Sequence, residues 1–175
     1  MNKETEPQPV LSIEKVARLA RETLLRDGRH VPTLIAEGSQ SGAIIQFAEF
    51  GDTFEKRQQQ MTQAGFVLAR DNAVGLFQQA FLISEGWMSM SEGDKPPTMP
   101  PSQDPNRKEV LTISGLQVDN QRLSMVVFEM IRNPEGRLTE LKSFEPAPKD
   151  EMSAESPLLE AFVFGFAMGL LNDTD

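Results

Sequence analysis

A chain of 175 residues with 39% hydrophobic and 25% charged side chains is long enough to build one hydrophobic core and is too apolar to be disordered. It contains no cysteine, which excludes disulfides, zinc–thiolate sites, iron–sulfur clusters and thiol nucleophiles. A net charge of −9, with no run rich in lysine or arginine, argues against nucleic-acid binding, because nonspecific affinity depends on neutralising phosphates.

Neither end of the chain predicts a membrane or secretory segment. The longest apolar stretch, residues 157–171, is interrupted by Glu160 and is shorter than the roughly 20 residues that span a bilayer. Residues 1–10 are polar and lack the apolar region of a secretory signal, so we interpret them as a flexible tail. We therefore expect a cytoplasmic protein that does not bind membranes, with residues 11–175 forming a single domain.

The first half of the chain alternates helix and strand signals. Ser12 is a suitable N-cap for a helix whose apolar residues recur at helical spacing as far as Gly28. Residues 30–37 and 43–50 then read as two strands of a hairpin. Asp52, followed three residues later by an acidic side chain, predicts the start of a second helix, which ends near residues 70–72 and buries Phe54 in its apolar stripe.

The second half is dominated by strands. Residues 76–90 alternate as a half-buried strand does, and residues 91–106 contain five prolines, which we interpret as a flap. Residues 108–116, 121–132 and 137–144 are three strand-like segments joined by tight turns, a pattern typical of an antiparallel meander. A last helix begins at Ser156 and Pro157. The resulting order, α-β-β-α-β-β-β-β-α, predicts an α+β fold with three helices on an antiparallel sheet of five to six strands.

No motif in the sequence predicts catalysis, a metal or a cofactor. His30 is the only histidine, and the neighbouring sequence offers it neither a nucleophile nor an orienting carboxylate. The glycine-containing segment 38–42 lacks the lysine of a phosphate-binding loop and precedes a strand, so it reads as a hairpin turn. We expect no catalytic residues, no metal ligands and no cofactor, and no motif allows an activity to be transferred from a known family.

A small-ligand site is conceivable where the flap meets the sheet. Trp87 is the sole tryptophan, and strand alternation places Glu85 on the same face. Arg107 re-enters the fold at the other end of the flap. These three side chains could line a cleft under the flap, or they could be an aromatic residue at the end of the core beside a solvated ion pair.

The last helix is apolar around nearly its whole circumference, so more than one side must be covered. Gly165 and Gly169 are four residues apart and allow another backbone to approach closely. Either the helix is central to the monomer with its glycine face against the sheet, or one face packs on the sheet and the other forms an interface. For the second case we predict an interface that contains Phe162, Gly165, Phe166 and Gly169.

These observations predict a non-enzymatic intracellular protein that forms a homodimer or binds another protein through the last helix and an exposed sheet face. The alternative is a small-ligand binder or an enzyme with its cleft at Trp87.

Overall fold

The computed structural model describes residues 11–89, 98–119, 121–144 and 156–172. It confirms the α+β class and the predicted order of three helices and six strands. The proposed tail at residues 1–10 and residues 91–97 of the proposed flap lie outside the described residues. The elements are α1 Ile13–Asp27, β1 Thr33–Gly38, β2 Gly42–Gln46, α2 Phe54–Arg70, β3 Phe77–Met88, β4 Lys108–Gln117, β5 Arg122–Arg132, β6 Leu138–Ser143 and α3 Pro157–Leu171.

The six strands form one antiparallel sheet in the order β2-β1-β3-β4-β5-β6. The turn predicted between β5 and β6 is confirmed, because the Gly136 amide donates to the Asn133 carbonyl at 2.9 Å and Gly136 adopts a φ of 80°. The β1–β2 hairpin is shorter than expected. Its strands begin at Thr33 and end at Gln46, because Pro32, whose carbonyl accepts from the Phe47 amide at 2.9 Å, has no N–H to donate to the ladder. The Phe47 and Phe50 rings pack together beyond the end of β2 with centroids 4.9 Å apart.

The helices cover the two faces of the sheet unequally. α1 packs on one face, where its apolar side meets side chains of β3 to β6 such as Ile83, Leu111 and Phe128. α2 and α3 pack on the other face, where they meet Leu34 and Leu82 on β1 and β3. The two hydrophobic clusters are therefore on opposite sides of the sheet. Among the described helices, none is long and apolar enough to cross a lipid bilayer.

Helix caps explain where the first two helices begin. The Ser12 hydroxyl accepts a hydrogen bond from the Lys15 amide at 3.2 Å, and Gly28 ends α1 in a left-handed conformation, as predicted. The prediction that Asp52 caps α2 is wrong. Thr53 has the extended backbone of an N-cap and accepts from the Lys56 amide at 3.3 Å, so the Asp52 carboxylate instead pairs with the Lys56 ammonium group.

The prediction that Phe54 is buried is also wrong. Met61, Gly65 and Leu68 are buried on the core side of α2, but Phe54 is the first helical residue and is exposed. It lies on the same stripe, two turns before Met61, and the stripe extends past the end of the core cluster.

Candidate functional site: the outer face of the C-terminal helix

The glycines of α3 lie in a close seam with α2. A Cβ atom built on Gly165 would lie 2.7 Å from the Thr62 carbonyl carbon and 2.8 Å from the Thr62 Cα. A Cβ on Gly169 would lie 2.6 Å from the Phe66 carbonyl oxygen. The seam is reciprocal, because a Cβ on Gly65 of α2 would lie 2.7 Å from the Phe166 amide nitrogen of α3. Glycines on both helices therefore set how closely the two backbones approach.

The two phenylalanines of the predicted interface are also inside the protein. Phe162 is fully buried and Phe166 nearly so, and each ring centroid lies 5.4 Å from that of Phe77 on β3. Phe162, Gly165, Phe166 and Gly169 thus face α2 and the sheet within one chain. The glycine face packs against α2 rather than against the sheet. Whether α3 forms an intermolecular interface stays a prediction, and any such interface would use its opposite side.

The opposite side of α3 is apolar and exposed to solvent. Phe164 is 61% exposed and Leu171 is 71% exposed, and Met168 and Ala167 lie between them on the same side. Glu160, a turn before Phe164, is the only charged residue in the helix. We call Phe164, Ala167, Met168 and Leu171 the outer face of α3. Residues at positions i, i+4 and i+7 form a continuous stripe, so these side chains make one patch rather than isolated exposures.

Polar side chains of α2 border this patch. A groove with a volume of about 690 Å³ runs between α2 and the first half of α3, with Gln59 and Gln63 on one wall and Phe164 on the other. Glu55 and Glu160 also line this groove, and an apolar centre with a polar border is the anatomy of a protein interface.

A second partly apolar surface lies on the same side of the sheet as α2 and α3. Val126, Phe128 and Met130 face α1, so strand alternation directs the half-buried residues Met125 and Val127 to the other side. It carries one ion pair, in which the Lys108 ammonium lies 3.0 Å from the Glu129 carboxylate and 5.4 Å from the Phe144 ring centroid. This is the part of the molecule that corresponds to the predicted sheet face.

The structure brings two of the three predicted ligand residues together. The Arg107 guanidinium carbon lies 4.2 Å from the centroid of the Trp87 ring, and Trp87 is 49% exposed. Arg107 also donates to the Ser102 carbonyl, in the described part of the flap. Glu85 has a different partner: its carboxylate accepts the backbone N–H of His30. The groove between α2 and α3 and the two grooves beside β2 are lined by other residues.

A salt bridge lies next to Trp87 on the same face. Glu109 is the cross-strand partner of Trp87, and its carboxylate accepts two hydrogen bonds from the Arg132 guanidinium at 2.7 and 2.8 Å. These bonds raise the pKa of Arg132 above its ordinary value. The pair is charge-neutral and mostly buried, which suits a structural role at the end of the sheet. Within the described ranges, no three histidine, aspartate or glutamate side chains come together as metal ligands.

Sequence reasoning did not single out the exposed outer-face residues of α3. Gly65 was the available signal. It lies in the buried stripe of α2, where the missing side chain lets α3 approach closely. Pairing it with Gly165 and Gly169 would have predicted a contact within one chain, with Phe164 and Leu171 on the outside of α3.

The chain matches no protein-family model, no curated protein and no solved structure.

Proposed function

We propose that this chain is a non-enzymatic intracellular protein that self-associates through the outer face of α3 and binds another protein. The observation that supports this proposal is the exposure of Phe164, Met168 and Leu171 on one side of a helix that contains a single charged residue. Soluble proteins seldom leave a continuous apolar patch open, and patches of this kind mark interaction surfaces. A second copy of the chain is an apt occupant because the same patch on both copies forms a self-complementary two-fold interface.

Truncation of the outer face tests this proposal. Burial of a phenylalanine or leucine side chain contributes about 1.5–3 kcal/mol, and in a two-fold dimer each substitution acts twice. We expect Phe164→Ser combined with Leu171→Ser to weaken self-association at least about 100-fold. Because both side chains are exposed in the monomer, the variant should keep its helical circular dichroism. Ile44→Lys is the matched control, since Ile44 is equally exposed but lies on β2, on the opposite face of the sheet.

The measurement is sedimentation equilibrium of both variants and of the unmodified chain. We expect the unmodified chain and the Ile44→Lys variant to exceed the 19.5 kDa of one copy and the double variant to remain at that mass. A strict monomer of the unmodified chain at about 100 µM would contradict the proposal.

The Arg107–Trp87 stack supports a second proposal, small-ligand binding at the end of the sheet. A planar anionic ligand could pair with Arg107 and stack on the exposed part of the Trp87 ring. Trp87 is the only tryptophan, so its fluorescence reports directly on this position. A saturable change in emission with one member of a metabolite panel, lost in Arg107→Ala, would support binding. Constant emission across the panel would count against it.

A further inference from the structure

β2 is an edge strand whose own sequence lacks the charges and prolines that often protect such strands. Within the described residues it pairs only with β1, and its sequence, Gly-Ala-Ile-Ile-Gln, contains no charge and no proline. The other edge strand, β6, carries Glu140 and Lys142 on its exposed positions. Charged side chains on an edge oppose pairing with a further strand. Among the described residues, β6 therefore carries this protection and β2 does not.

The register of the hairpin shows which groups β2 offers. The Phe47 amide donates to the Pro32 carbonyl, and the Gly38 amide donates to the Ser41 carbonyl. Because hydrogen-bonded pairs alternate along an antiparallel ladder, Ala43 and Ile45 also bond to β1. The N–H and C=O groups of Gly42, Ile44 and Gln46 consequently point away from β1, where an added strand would lie.

Grooves flank β2 on both faces of the sheet. On the α1 side, Leu19 of α1 and Ile35 and Ile44 of the hairpin line a groove with a volume of about 680 Å³. On the α2 side, Ile45, Phe50 and Val67 belong to a larger groove of about 1060 Å³. A strand sends successive side chains to opposite faces, so an added strand would place apolar side chains in both grooves. Ile44, which is 70% exposed, would be covered by it.

The charge of the α1 side indicates the chemistry of the partner. Residues 11–30 carry five cationic and three acidic side chains, a net charge of +2 in a chain of net charge −9. Arg26, Arg29 and His30 line one end of the α1-side groove, beyond the Gln46 end of β2. Asp27 neutralises one of these charges through its salt bridge to Arg26. The remaining positive charge favours an acidic residue at this end of a bound segment.

We propose that β2 binds an extended segment of a partner protein by strand addition, and that this segment is an apolar run of about five to seven residues flanked by aspartate or glutamate. β2 is about 17 Å long at about 3.3 Å per residue, which sets the length of the run. The backbone groups of Gly42, Ile44 and Gln46 supply affinity, and the two grooves and Arg29 supply selectivity. This surface is distinct from the outer face of α3, so the proposal does not depend on self-association.

Selection from a displayed library of random twelve-residue peptides tests the proposal. The unmodified chain is the target. The library is first depleted on the Ile44→Lys variant, which removes peptides that bind elsewhere on the protein. We expect the enriched peptides to contain an apolar run with acidic flanks. In fluorescence polarisation, a selected peptide should bind at least tenfold more weakly to Ile44→Lys and to Arg26→Glu/Arg29→Glu, and equally well to Ile44→Val. Binding to Phe164→Ser/Leu171→Ser should be unchanged, which separates this test from that of self-association.

Methylation of the peptide backbone provides a test that leaves the protein unchanged. In strand addition, alternate peptide N–H groups bond to β2, so N-methylation at one set of alternate positions should abolish binding and at the other set should have little effect. The proposal is overturned if no peptide is enriched, if the enriched peptides are basic, or if methylation at either set has the same effect. It is also overturned if Ile44→Lys lowers the assembly mass of the protein, because β2 would then pair with a second copy.

Discussion

Substitution of Gly165 by alanine tests the seam between α2 and α3. The new Cβ would lie within 3.0 Å of three backbone atoms of Thr62, and a backbone cannot rotate away as a side chain does. The Thr62 carbonyl oxygen would lie closest of all, and the carbonyl carbon would lie at 2.7 Å. Because an ordinary contact starts at about 3.4 Å, the helices would have to separate by more than about 0.7 Å. Phe162 and Phe166, which are buried beside the seam, would lose packing as the helices separate.

The expected magnitude follows from two opposing effects. Overpacking of a core costs about 1–3 kcal/mol, and this clash with immovable backbone belongs at the upper end of that range. Replacing glycine by alanine inside a helix stabilises it by about 1 kcal/mol. We therefore expect Gly165→Ala to lower the free energy of unfolding by about 2 kcal/mol, which shifts the urea midpoint by about 1 M for a slope of about 2 kcal/mol per molar.

The assay is urea unfolding followed by far-ultraviolet circular dichroism, with Gly86→Ala as control. Apart from Gly86 and its two chain neighbours, no heavy atom of the described residues lies within 4 Å of a Cβ built there, so the control should match the unmodified protein or exceed it by up to about 1 kcal/mol. If the unfolding free energies of Gly165→Ala and the unmodified protein agreed within 0.5 kcal/mol, as a rough limit of the measurement, the seam described above would be refuted.

Three further predictions concern the cap, the aromatic stack and pH. In urea unfolding, Thr53→Ala should lower the free energy of unfolding by about 1 kcal/mol, which is more than Asp52→Ala should lower it. A larger loss for Asp52→Ala would contradict the assignment of Thr53 as the cap. Arg107→Ala should cost about 0.5–1 kcal/mol and change the emission spectrum of Trp87, whereas an unchanged spectrum would argue against the stack. The pKa of the Glu14 carboxyl is lowered chiefly by a hydrogen bond from its own backbone N–H. The pKa of the Asp52 carboxyl is lowered chiefly by a hydrogen bond from the Lys56 ammonium group. The folded protein therefore binds fewer protons, and its urea midpoint should fall as the pH drops below about 4; a midpoint that rises would contradict these shifts.

Local features of the fold were predictable because neighbouring residues determine them. Ser12 and Gly28 bound α1, and the turn at residues 133–136 fixes the β5–β6 hairpin, from interactions within a few residues. Trp87 and Arg107 were predicted to be close because both lie where the proposed flap joins strands. The antiparallel pairing of β3 with β4 then places Arg107 beside the Trp87 ring.

The orientation of α3 was not predictable from its own sequence. A helix that is apolar on all sides has no polar face to mark its outside, so its buried side depends on the surface it meets. That surface includes Gly65, on another helix and far along the chain. The difference between the two sheet edges could not be predicted either. Only the order of strands in the folded sheet shows that β2 and β6 are its edges.

Sedimentation equilibrium of the unmodified chain beside Phe164→Ser/Leu171→Ser tests the proposed self-association most directly. We predict a mass above 19.5 kDa for the unmodified chain and a monomer for the double variant, with helical circular dichroism retained in both. Equal masses for the two proteins would contradict the claim that the outer face of α3 is an interface between copies.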